Sequence, residues 1–180
     1  MRHHRWQLGG VLALALFGCG ELPGDVVGTY RISMKLEENA CGEHAIYRLD
    51  TKRYSAQLRN EGTRGYWRVP GQVPLRGKYD APEFRFEYSS IVALGDPDAG
   101  PRRCRLLQGE VLSGSVNLEA AENEGDADAE QPAALEGEHE LTISGEPGSD
   151  CTSALAPAGA FEELPCKVRY TLRGEPIKAF

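Results

Sequence analysis

Apolar residues recur at every second position of this chain, and that spacing excludes most architectures before any other feature is weighed. In Thr29–Leu36, the residues Tyr30, Ile32, Met34 and Leu36 fall on one face, and Thr29, Arg31, Ser33 and Lys35 fall on the other. A strand sends successive side chains to opposite faces, so a period of two with one apolar face marks a half-buried strand rather than a helix. The same alternation turns Phe84, Phe86 and Tyr88 inward within Glu83–Tyr88, and Val168, Tyr170 and Leu172 inward near the C-terminus. Shorter runs at 44–50, 53–60, 64–69 and 73–79 read as strands between turn signals such as Asn60-Glu61-Gly62 and Pro70-Gly71. The spacing predicts an all-β chain of about 8–10 short antiparallel strands, with no substantial helix in the mature domain, forming a barrel or a sandwich.

A pattern of Leu, polar residue, Gly and charged residue occurs at Leu75–Lys78, Leu107–Glu110, Leu135–Glu138 and Leu172–Glu175. Leu and Gly are two apart, so each pair is expected on the inward face, where glycines let a closed sheet turn its corners. The stretch Gly28-Thr29-Tyr30 resembles the Gly-x-Trp that opens the first strand of lipocalins, with Tyr in place of Trp. That resemblance makes a lipocalin-like meander the leading architecture.

The N-terminus carries a different signal. Arg2 and Arg5 precede an uncharged apolar run, Leu8 to Phe17, followed by Gly18-Cys19. The run is too short to span a bilayer, which takes about 20 apolar residues, but it suits a secretory leader. Leu16-Phe17-Gly18-Cys19 resembles the lipobox of bacterial lipoproteins, in which the cysteine is lipidated and becomes the first mature residue. The resemblance implies a signal peptide at 1–18 and a lipid-anchored Cys19 with palmitate-like chains; a short tether at 19–25 then leads to the β domain that the alternation places at 26–180. Gly20 is compatible with sorting to the outer membrane. An ordinary leader cut after Ala13-Leu14-Ala15 is the alternative and would leave Cys19 a plain thiol.

Five cysteines leave one unpaired in an exported chain. With Cys19 lipidated, Cys41, Cys104, Cys151 and Cys166 remain for disulfides. Three connectivities are possible. A local staple Cys151–Cys166 with Cys41–Cys104 is the expected one. A Cys₄ zinc site is disfavoured, because no pair has the close spacing such sites use, and no metal or cofactor is expected.

Removing the leader takes Arg2 and Arg5 and no acid, so 20 basic residues fall to 18 against 27 acids, a net charge of −9. That balance speaks against nucleic acid as a partner and leaves membrane attachment to lipid rather than charge. Residues 119–134 carry six acids, no base and no large apolar residue. They are expected to form a disordered acidic loop. Asp126, Asp128 and Glu130 alternate as in a calcium loop, but the glycine and terminal glutamate of an EF-hand are missing. Turn-rich loops are expected at 96–101 and 152–165.

Chemistry-bearing motifs are sparse. The sequence has no nucleophile elbow, no metalloprotease His pair and no phosphate-binding glycine loop, so an enzyme is the least favoured reading. His44 is expected at an exposed strand edge. His139 shares its parity with Leu135, Leu141 and Ile143 and is expected to point inward, either into a pocket or against a bonded neighbour. Arg102, Arg103 and Arg105 form a small basic cluster facing either a partner or the acidic loop. The expectation is an envelope lipoprotein serving as a structural or adaptor module for an envelope partner. The alternative is a barrel for a small apolar ligand or lipid, with a pocket drawn from Trp67, Phe84, Phe86 and His139.

Overall fold

The computed structural model describes residues 22–45, 51–94, 104–117, 134–155 and 159–177. They form eight strands: β1 Asp25–Asn39, β2 Thr51–Glu61, β3 Arg64–Arg68, β4 Leu75–Asp80, β5 Glu83–Ala93, β6 Arg105–Val116, β7 Leu135–Gly145 and β8 Cys166–Pro176. Each pairs antiparallel with the next, and β8 returns to β1, so the sheet closes into a meander barrel. A 3₁₀ turn at Thr152–Ala154 is the one helical element among the described residues. The all-β antiparallel expectation holds, and closure decides for barrel over sandwich. The leader at 1–18, Cys19, the 96–101 loop, residues 46–50 of the strand expected at 44–50 and the acidic segment up to residue 133 lie outside the described residues, while His44 and Ala45 belong to no strand.

The turns follow their chemistry. Gly62, at φ 64°, sits first in the two-residue link between β2 and β3, where only a residue tolerant of positive φ fits a tight hairpin. Between β3 and β4, Pro70 and Gly71 (φ 78°) occupy the central positions of a turn closed by Gln72 N–H donating to Val69 O at 3.1 Å.

Alternation builds the core. Tyr30, Ile32, Leu58, Leu106, Leu135, Val168 and Tyr170 are wholly buried inside the barrel, each inward side chain worth about 1.5–3 kcal/mol on burial. Outward positions carry ion pairs such as Lys167–Glu140, Arg169–Glu38 and Arg85–Glu87. These are surface pairs of roughly 0–1 kcal/mol each. They give the barrel a charged exterior, the reverse of the apolar outer band of a barrel that spans a bilayer.

Two glycines facing each other shape the closed end. Gly114 on β6 is opposite Gly137 on β7. A Cβ on either would collide with the backbone of the partner strand, and one on Gly114 would also meet the Phe84 ring. Of the four predicted inward Leu-x-Gly pairs, the one on β6 is reversed. Leu106, Leu112 and Val116 are buried while Leu107 is 42% exposed, so Leu107 and Gly109 face outward. The reason is register: Leu112 lies opposite Phe86, and Leu106 counts back from it on the same face.

The disulfides are Cys41–Cys166 and Cys104–Cys151, not the expected Cys41–Cys104 and Cys151–Cys166. The sheet explains the correction. Cys41 leaves β1 and Cys166 opens β8, which are neighbours only because the barrel closes, with Asn39 opposite Val168. Cys104 precedes β6 and Cys151 follows β7, where Glu146 N–H donates to Arg105 O at 2.7 Å. Spatial neighbours therefore pair across 125 and 47 residues rather than along a local loop. In the chain-entropy model these closures are worth about 5 and about 4 kcal/mol respectively.

Both bridges lie at the end where β1, β5 and β7 finish. Over β6, β7, β8 and β1, Ala154 and Phe161 from the described residues between β7 and β8 are buried in one cluster with Cys41, Cys104 and Cys166. On the opposite side the wall is low, because β3 has 5 residues and β4 has 6. The chain enters at the other end of the barrel. There the Arg59 guanidinium donates to Gly24 O at 2.6 Å, and Asp25 lies opposite Asn60.

Candidate functional site

A cavity of about 760 Å³ opens where the wall is low, inside the roughly 300–1,000 Å³ range of small-molecule sites. β1 and β2 bring Met34, Lys52 and Tyr54 to it. The β3–β4 turn and the start of β4 bring Val69, Val73 and Leu75, and β5, β6 and β7 bring Tyr88, Glu110 and His139. Trp67 and Phe86 form the floor, at 2% and 1% exposure. The rim is open, with Val73 88% and Tyr88 50% exposed.

Of the four residues expected to line a pocket, Trp67, Phe86 and His139 do so. Phe84 is absent from the lining. It lies one layer deeper, its ring 5.9 Å from Trp67 and 5.9 Å from Phe86, toward Gly114 and the closed end. It supports the floor without forming it. Tyr88, expected in the core, has the inward parity but stands at the rim, where the neighbouring wall has ended.

One corner of the cavity is polar. Glu110 accepts from the Gln108 amide at 2.6 Å and from His139 Nε2–H at 3.1 Å. A carboxylate only accepts, so this pairing places a proton on Nε2. His139 Nδ1 is buried without a partner among the described residues. The hydrogen bond from His139 holds the Glu110 carboxyl below the usual carboxylate range, against the opposing effect of burial. His139 stacks on Tyr170 at 6.2 Å, and the Lys52 ammonium lies 4.6 Å above the same Tyr170 ring. Burial pushes the Lys52 amine below its usual value, partly offset by the Glu110 charge. Burial also pushes the Tyr54 phenol well up, while a hydrogen bond with Trp67 works the other way.

The sequence reading missed Lys52, Tyr54, Gln108 and Glu110. Lys52 and Tyr54 share the inward parity of Ala56 and Leu58, and Glu110 shares that of Leu106 and Leu112. Counting each strand back from its buried residues is the signal that finds them. His44 is exposed, as expected. Arg105 pairs with Glu146 at 2.9 Å, at the bridged end. Arg102 and Arg103 lie outside the described residues. Among the described residues no group of His, Cys, Asp and Glu is arranged to hold a metal ion.

Both oxygens of Glu110 are engaged, one by Gln108 and the other by His139. The chain matches no known family model, no curated protein and no solved structure.

Proposed function

We propose that this chain is a carrier or receptor for a small, largely apolar molecule, held in the cavity between β2 and β5. The observation that carries the reading is a closed barrel whose interior is packed except on one side, where an apolar, open-rimmed cavity of about 760 Å³ reaches down to Trp67 and Phe86. A module acting only as a β scaffold has no need of that opening. A neutral fluorescent amine such as N-phenyl-1-naphthylamine tests it. The expected result is saturable binding at one site, with emission excited through Trp67. Unsaturable or absent binding overturns the reading.

The leader supports attachment to the outer membrane through lipid on Cys19. The chain enters the barrel at the closed end, so a tether of a few residues, at no more than about 3.5 Å each, would hold that end against the bilayer and turn the mouth away from it. Cys19→Ser should move the protein from the membrane to the soluble fraction, and a variant that stays with the membrane sinks the anchor.

A further inference from the structure

The polar corner bears on which molecule enters, an inference that rests on the cavity being a binding site. Two of the charged groups lining the cavity are already committed. Glu110 has one oxygen on Gln108 and the other on His139. Glu87, at the rim, is bonded to Arg85 Nε at 2.7 Å. Lys52 is in a different position. Its stem lies on the inner face beside Met34, and its ammonium sits above the Tyr170 ring. Among the described residues it makes no ion pair, although it is partly removed from water. Tyr54, two residues along the same inner face, has an oxygen engaged by Trp67. Its own hydrogen has no acceptor in the described structure. Arg76 adds a second positive charge at the exposed rim.

An unpaired ammonium and a spare hydroxyl donor therefore project from one strand above an aromatic floor. We infer that the cavity takes an amphiphilic anion, its carboxylate or equivalent acidic head on Lys52 Nζ and Tyr54 Oη, and its apolar body along Trp67, Phe86 and the Val73–Leu75 lip. An ammonium partly removed from water and held in no ion pair gains from an anion brought alongside it. Glu110 tunes the corner by holding His139 and does not receive the head.

Residues 19–180 contain all eight strands, each bonded to both neighbours, and Trp67 is their only tryptophan. Tryptophan fluorescence of that chain reports the site directly. It is titrated with dodecanoate, dodecanol and dodecyltrimethylammonium, all below their micellar concentrations. The expected order is dodecanoate tightest, by roughly tenfold or more over dodecanol, the worth of one charge-assisted hydrogen bond. Lys52→Met should erase that advantage while dodecanol binds as before, which also shows that the variant is folded. Glu110→Gln should keep or widen it. Equal binding of dodecanoate and dodecanol overturns the head-group assignment and leaves the cavity reading standing. A preference for the ammonium ligand that Glu110→Gln abolishes overturns the assignment in favour of a cation site. Silence toward all three overturns both readings.

Discussion

The two sides of the barrel's bridged end are built from the same alternating strands and come out differently. Over β6, β7, β8 and β1 the strands run 11 to 15 residues. Ala154 and Phe161, which follow β7, are buried in the core cluster that also holds Leu106, Ile143 and Val168, and both disulfides sit there. Between β2 and β5 the intervening strands have 5 and 6 residues, a short turn replaces a folding-over loop, and the inward side chains above Trp67 face open space. Inward parity alone therefore does not make a core. A residue facing in is buried only if its neighbours reach as high as it does, and Tyr88 at 50% exposure shows what happens when they do not.

That contrast sets an order of expected effects. Replacing Cys41 and Cys166 together by Ser should cost the most, roughly 2–5 kcal/mol by denaturant unfolding. The same change at Cys104 and Cys151 should cost less, since it closes 47 residues rather than 125. The reverse ranking would break the claim that the β1–β8 seam is the main staple. Ile143→Ala, on the covered side, should lose about 2–5 kcal/mol. Phe84→Ala should lose a similar amount and weaken ligand binding indirectly, through the floor it props.

A smaller effect concerns acid. The Glu110 carboxyl titrates lower in the folded barrel than its ordinary value of 4.5. The unfolded chain then takes up the proton first, so this group's contribution is complete above that value and is lost as pH falls through the lower folded value. Urea midpoints of the parent should decline across that window more steeply than those of Glu110→Gln, and parallel curves would show that the His139 contact contributes nothing. Smallest of all, Val73→Ser at the rim should change stability by no more than about 0.5 kcal/mol yet weaken apolar ligands. A large stability loss there would mean that the open side is packed after all.

Much of the barrel was legible because burial on one face forces alternation. The spacing in Thr29–Leu36, Glu83–Tyr88 and 168–172 fixed strand identity and core face, and His139 was expected inward on the same grounds. The polar corner was hidden by one parity error. Placing Leu107 and Gly109 inside throws Gln108 and Glu110 outside, and only the pairing of Leu112 with Phe86 reverses it. The disulfide connectivity was not legible at all, since Cys41 meets Cys166 only through closure of the sheet, and no local spacing encodes which strand the last one joins. The cavity was illegible for a related reason: it comes from the shortness of β3 and β4 relative to their neighbours, a difference that appears only once the strands stand side by side.

The most direct test of a barrel covered on one side and open for cargo on the other is native mass spectrometry of the protein extracted gently from the membrane of its source. The expected result is a stoichiometric non-covalent addition of small-molecule mass that is lost on mild activation. A bare protein mass, unchanged on activation, would contradict it.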